Sequence, residues 1–241
     1  MLFDVFENRI IVSGKIVATK PLHIGASDNG IDPVQVDLPV LKDTYRRPLI
    51  PGSSLKGVLR SRLEAILKNP ALKGSWTSCN IINDDESCIE KHIKDIKARN
   101  KDNYRAMAEE IYQKSCDVCK LFGNKQMSAR VQIKDMMFIG EKLEFERRDG
   151  VGIDRDTETA YPGAKYNFEI VPAGALFDFY MVAENLGEKQ RKLLNLILKL
   201  LRDGEVSVGG YTTRGLGQIK LIDEKIDEID KNNIASYYGL G

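Results

Sequence analysis

The chain has 241 residues, 42% of them hydrophobic, which is enough for one large domain with a substantial core. Charged residues make up 29% yet nearly cancel to a net charge of +1, which excludes a global positive field and leaves a nucleic-acid partner only local basic patches to meet. Four cysteines are too few for a disulfide scaffold, and no apolar run reaches the roughly eighteen residues that a membrane helix needs, so no membrane partner is expected.

The first residues, MLFDVFENR, are acidic and lack the basic and apolar regions of a signal peptide, which makes the cytoplasm the expected location. Residues 9–18 (RIIVSGKIVA) are rich in β-branched side chains and predict a strand. After Leu22 comes a long stretch of Gly, Pro and Asp, and a loop of that length in a compact domain is usually functional. It ends in PGSSLKG. Pro51 and Gly52 break the chain, and Ser53 or Ser54 is expected to cap a helix over about residues 55–68. Leu55, Val58, Leu59, Leu63, Ile66 and Leu67 recur at helical spacing as its buried face, which leaves Arg60 and Arg62 toward solvent or a ligand. Free N–H groups and the helix dipole attract anions there, with Lys56 and Arg60 close by. A capped core helix with surface cations is the plainer reading of the same residues.

Residues 70–115 read as a polar insertion with a short helix over 104–114, followed by CDVCKLFGN and a strand over 129–139. A charged, Gly-containing segment (146–164) precedes strands at 165–171 and 175–183, and the intervening PAG predicts a hairpin turn. A second helix spans about 187–202 and stops at Gly204. A short strand, the turn GGYTTRGLG and a last strand over 218–222 complete the order, and residues 223–241 are expected to be a loosely ordered or docked tail. Strand, helix, strands, helix, strand fits an α+β fold, closest to a ferredoxin-like antiparallel sheet with helices on one face.

Three groups of residues carry chemistry. Cys116 and Cys119 form a C-x-x-C knuckle, a spacing at which two thiolates reach one tetrahedral ion. Cys79 and Cys88, or one of them with His92, would complete a structural zinc site, against the alternative of unrelated buried thiols. The glycines at 209, 210, 215 and 217 let backbone approach a phosphate, and Thr212, Thr213 and Arg214 add donors, although a plain turn has the same composition. In the first loop, Asp28, Asp32, Asp37 and Asp43 are turn formers by default, and one of them could hold a metal or act as a base. His23 stands where the strand meets that loop, as a satisfied structural histidine or as a ligand contact.

Four of these stretches together resemble the RAMP-superfamily backbone subunits of type III CRISPR effector complexes, of the Csm and Cmr kinds: LHIG with PVLKD and PGSSLKGVLR, then CDVCKLFGN, GIDRDTETAYPGAKYNFEIVPAGALF and GGYTTRGLGQIKL. The resemblance implies one RRM-like domain over residues 1–222, with an insertion at about 70–128 and a thumb-like β-hairpin at about 145–172. It implies binding to crRNA and target RNA beside copies of itself or paralogous RAMP subunits, and beside other effector subunits including the large Cas subunit. His23, Ser53, Ser54, Lys56, Arg60, Gly209, Gly210, Thr212, Thr213, Arg214 and Gly215 would hold guide RNA, and Arg155 would meet RNA near the thumb. Asp37, with Asp32 as the second candidate, would cut target RNA at regular intervals by in-line attack of the 2′-OH, helped by a divalent cation such as Mg2+ or Mn2+. A non-catalytic scaffold of the same fold and a crRNA-processing endoribonuclease are the alternatives.

Overall fold

The computed structural model describes residues 2–26 and 36–240, so Asp28 and Asp32 lie outside the described residues. Strand β1 (Asn8–Ala18) alternates as its sequence demands and buries Ile10, Val12, Ile16 and Ala18. The short β2 (Leu49–Ile50) leads into α1 (Gly52–Leu67), whose Leu55, Leu59, Leu63 and Leu67 are buried, with Val58 and Ile66 partly buried beside them. The insertion folds as α2 (Ile93–Arg99), α3 (Tyr104–Lys114) and α4 (Asp117–Phe122). It owns a small core of Ile89, Ile96 and Ile111, while α4 sends Val118 and Leu121 into the main one.

Next come β3 (Val131–Ile133), β4 (Met136–Met137), β5 (Glu146–Ile153), β6 (Ala160–Ile170) and β7 (Leu176–Glu184). The chain closes with α5 (Glu188–Arg202), β8 (Val206–Ser207), β9 (Gln218–Asp230) and α6 (Ile234–Tyr238). The main antiparallel sheet runs β3-β7-β1-β9-β8, with β1 at its centre. A bulge between Ser13 and Lys15 against β9 curls it, since an extra residue sharpens local twist. Gly14 fits that bulge because a Cβ there would lie 2.9 Å from the Ile222 carbonyl oxygen. Helices α1 and α5 share one core with the sheet, and α5 contributes Leu193, Leu194, Ile197, Leu198 and Leu201. No helix among the described residues is long and apolar enough to cross a membrane.

Three expectations fail here for physical reasons. The predicted strand at 129–139 is broken into β3 and β4, because Asp135 turns away to accept a hydrogen bond from the Gly52 N–H at 2.8 Å. The PAG segment is not a hairpin: β6 pairs with β5, while β7 pairs with β1 and β3. Phe177, Phe179, Met181 and Ala183 are buried along β7, which draws it into the sheet centre, whereas the first half of β6 is exposed. The segment after Ile222 is not a loose tail. β9 continues to Asp230 beside β1, and Arg191 of α5 pairs with Glu228 at 2.6 Å. Beyond it, the Tyr238 ring lies 6.3 Å from Phe6, and its hydroxyl accepts from Arg9 at 2.8 Å.

Leu59 is fully buried between α1 and the sheet. Leu59→Ala is expected to cost about 2–5 kcal/mol, read as a lower urea midpoint with an unchanged slope. A midpoint equal to that of the parent protein would place α1 outside the cooperative core.

Candidate functional site

Three segments distant in sequence converge on β6. The first is the end of the long loop. Leu38 N–H donates to the Asn167 carbonyl at 3.2 Å, and Glu169 N–H donates to the Leu38 carbonyl at 3.0 Å, so the loop pairs with β6 as a short parallel bridge. Asp37 is exposed and locked by a reciprocal pair: its Oδ2 accepts from Asn167 N–H at 2.7 Å, and its own N–H donates to Asn167 Oδ1 at 3.2 Å. The Glu169 carboxylate accepts from Val40 N–H at 3.0 Å and pairs with Lys42 at 2.7 Å. Asp43, by contrast, is a turn residue, accepting from the backbone of Tyr45 and Arg47 and from the Arg47 side chain. Against its desolvation, those bonds hold its carboxyl below the usual range.

The second and third segments are His23 and the Gly-rich turn. His23 is buried, and its Nδ1 donates to the Glu169 carbonyl at 2.7 Å, which fixes the ring as an architectural piece. Its ring centroid lies 5.7 Å from that of Phe168 and 5.2 Å from that of Tyr211. Tyr211 stands in the left-handed region (φ 59°) and stacks 4.8 Å from Phe168. Gly210 N–H donates to the His23 carbonyl at 2.8 Å, and Arg214 donates to the Tyr166 hydroxyl at 2.7 Å. The turn therefore presents Arg214 toward β6, whereas the exposed Thr212 and Thr213 line a cleft of about 630 Å3 together with Gly57, Ser61 and Arg62 of α1.

At the start of α1 the expected serine cap is absent. Pro51 holds the cap position without a side-chain bond, and the Asp135 carboxylate takes the Gly52 N–H instead. Ser53 is exposed and Ser54 half-buried. Lys56 is half-buried and has no ion pair among the described residues; burial, and then the nearby Arg60 charge, hold its ammonium below the normal lysine range. Arg60 does not face solvent. Its guanidinium bonds Glu64 at 2.7 Å, the Gly123 carbonyl at 2.9 Å and Cys119 Sγ at 3.1 Å. Arg155 is exposed on the turn joining β5 to β6, far along the hairpin from the Asp37 pairing at Asn167.

The four cysteines meet, with all four Sγ atoms within 4.8 Å of one another, and His92 is not among the converging donors. Cys116 caps α4, so helix geometry brings Cys119 onto the same side. Asp117, buried behind them, accepts from the backbone and hydroxyl of Thr77, which draws Cys79 in until its sulfur lies 3.5 Å from that of Cys119. A Zn–S bond of about 2.3 Å sets tetrahedral sulfurs about 3.8 Å apart, so the donor set fits a metal such as zinc. Hydrogen bonds from Cys116 and Cys119 pull the Cys88 thiol down to about 7, and contacts with the other thiols push Cys116 up.

Tyr166, Asn167, Phe168, Tyr211 and Asp135 carry much of this geometry; the first four lie within the stretches that carry the resemblance, but none of the five stands out in the sequence as a site residue. The only available signal is the alternation of aromatic residues in KYNFEI, which places Tyr166 and Phe168 on one face of β6. The RAMP superfamily model matches residues 15–220, and the chain belongs to that superfamily. Among curated relatives, proteins named CRISPR system Cms endoribonuclease Csm3 align along most of its length. The Enterococcus italicus protein is 29% identical over 95% of this chain and 98% of its own. The Methanothermobacter thermautotrophicus protein is 30% identical over 92% and 87%, and that of Methanocaldococcus jannaschii 28% identical over 91% and 81%.

Gly209 stands at φ +82°, and a Cβ there would lie 2.3 Å from the His23 carbonyl oxygen, a backbone atom that cannot swing aside. Gly215 has a similar φ but open space around it. Gly209→Ala is therefore expected to destabilise the protein by more than about 1 kcal/mol and by more than Gly215→Ala does, as measured by denaturant unfolding. Equal losses would mean that the contact with His23 is not what holds the turn.

Proposed function

We propose that this chain is a crRNA-binding backbone subunit of a type III CRISPR ribonucleoprotein that cleaves bound target RNA at regular intervals, acting in the cytoplasm beside copies of itself or paralogous subunits. The observation that carries the reading is the end-to-end similarity to proteins named Csm3 endoribonuclease. Two structural features support it. The order β3-β7-β1-β9, with α1 and α5 packed into the same core, suits a ferredoxin-like domain, and the β5–β6 hairpin suits a thumb. The convergence of Asp37, His23 and the Gly-rich turn around β6, with Thr212 and Thr213 sharing a cleft with α1, suits a backbone-tracking RNA groove, since such proteins hold sugar and phosphate without reading bases.

In this reading Lys56, Ser53, Ser54, Thr212, Thr213, Arg214 and the glycines at 209, 210 and 215 hold the guide. Arg155 meets RNA at the thumb, and Arg60 belongs to the cysteine centre instead. His23 sets the turn from beneath, which takes support from a precursor-processing mechanism built on a free histidine. Asp37 is the cleaving residue. The target's own 2′-OH is the nucleophile, so the protein must mainly orient it in line with the phosphate and manage one proton. Asp37 is held at Asn167, on the strand that continues into the hairpin, so a nucleotide splayed by that hairpin would pass it. A divalent cation such as Mg2+ or Mn2+, when bound, would offset charge developing on the phosphate.

Asp37→Ala is expected to lower target cleavage by about 100-fold or more in the assembled complex while guide binding persists. Asp37→Asn, which can still accept from Asn167 N–H, is expected to be equally inactive. Products should carry 2′,3′-cyclic phosphate. If the Asn variant cuts like the parent, Asp37 is only a loop anchor, and the test moves to Asp32. If neither aspartate matters, the subunit is a scaffold.

The cysteine centre is read as structural zinc held by Cys79, Cys88, Cys116 and Cys119, since four protein ligands leave no open position. Elemental analysis of the folded protein should give one zinc per chain, and Cys119→Ser should lose it and lower the melting temperature. Folded wild-type protein free of zinc, with four titratable thiols, would refute this assignment.

A further inference from the structure

Arg60 takes no part in the proposed RNA groove. It stands on α1, one turn after Lys56, yet its side chain is only 14% exposed and points at the cysteine cluster. All three nitrogens are engaged: Nε with Glu64, Nη1 with the Gly123 carbonyl and Nη2 with Cys119 Sγ. Gly123 ends the knuckle helix at φ +80°, where a Cβ would lie 2.7 Å from Ala129 N, so the carbonyl that Arg60 grips is itself fixed.

Four thiolates around a divalent ion carry a net charge of −2, and three of the four cysteines are buried. Such a charge needs a compensating cation or donors inside the protein. The backbone supplies weak donors: Cys116 N–H reaches Cys88 Sγ and Cys119 N–H reaches Cys116 Sγ, both at 3.4 Å. Arg60 supplies a full charge at 3.1 Å. Its planar fork lets one side chain bond a sulfur and a carbonyl at once, which a lysine cannot do.

We infer that Arg60 is the positioning residue and buried counter-ion of the metal centre, and that through it the loaded centre holds α1, and hence Lys56 one turn earlier, in place. This rests on the zinc reading above. Metal loss then removes one of the two negative partners of Arg60, leaving only Glu64 on its own helix, and loosens α1 at its middle, although the ligands themselves lie in the insertion.

The test compares wild type, Arg60→Gln and Arg60→Lys. Zinc affinity is read by competition with a chromogenic chelator, cobalt-substituted protein by its thiolate-to-metal absorption, and α1 by amide exchange over residues 56–63 with and without zinc. Arg60→Gln is expected to weaken zinc binding about 10–100-fold, as loss of a partner to a metal ligand does elsewhere, and to shift the cobalt band. Arg60→Lys should fall between the two. Zinc should slow exchange in α1 of the wild type and no longer do so in Arg60→Gln. A role in packing alone would lower the melting temperature of zinc-loaded and zinc-free protein alike and leave affinity and the cobalt band unchanged, which would overturn the inference. Should Arg60→Gln fail to fold, Arg60→Lys with unchanged affinity would overturn it equally. Wild-type protein that binds no zinc removes the underlying zinc reading as well, and so is distinguished from failure of the role of Arg60.

Discussion

The side of this molecule that carries Asp37 and the Gly-rich turn depends on how β6 satisfies its backbone. One edge of the strand pairs with β5 and makes the hairpin. At Asn167 and Glu169 it also takes the end of the long loop, through backbone bonds with Leu38. Buried or half-buried peptide groups must find partners, and here the same few residues provide them for two otherwise unrelated segments. The result is that the position of Asp37 is tied to the root of the hairpin. A loop with the composition of residues 22–48 would not hold a carboxylate in place by itself. Paired at Asn167 and stapled again by Glu169 to Val40 and Lys42, it does.

A second constraint sits behind this one. Phe168, His23 and Tyr211 stack in a small cluster that joins β6 to the Gly-rich turn. His23 is the keystone, because its side chain bonds the Glu169 carbonyl while its own carbonyl takes the Gly210 N–H. The left-handed backbone at Tyr211 is maintained by this surrounding structure, as strained residues near functional surfaces usually are. The histidine thus fixes where the turn lies.

What the sequence reveals divides along physical lines. Elements whose signal is local periodicity are readable: the leucine stripes of α1 and α5 and the alternation of β1 fall where predicted, because burial acts on each segment separately. The knuckle at Cys116 and Cys119 is readable because helix geometry fixes that spacing. Strand partners are not. Pro172 to Gly174 has the composition of a hairpin turn, but the choice between β6 and β1 as the neighbour of β7 is decided by a core formed from the whole chain. The charged run after Ile222 has one face in water and pairs its carboxylates with α5, so β9 carries too weak an apolar signal to be seen. Arg60 misleads for a related reason: its position off the leucine stripe is correct, but the insertion folds over that side of α1 and brings the cysteines to it.

The start of α1 shows how such non-local contacts alter a functional argument. A helix N-terminus preceded by Pro-Gly and followed by serines reads as an anion site, since its first N–H groups are unpaired and its dipole is positive. In the folded protein the Asp135 carboxylate already bonds the Gly52 N–H, and a negative side chain there satisfies the same field that a phosphate would. An RNA phosphate brought to that spot would meet a like charge, so the helix dipole cannot be the main attraction. Any attraction must come from a flank of the helix. On the flank it shares with Arg60, Lys56 is half-buried, with its charge unmatched among the described residues and weakened by desolvation and by Arg60. An incoming phosphate would relieve that electrostatic cost, because a nearby negative charge favours the ammonium form that burial disfavours. On the proposed function, a guide phosphate is therefore expected to approach α1 from this flank, in contact with Lys56, leaving the capped end to β4 and Asp135.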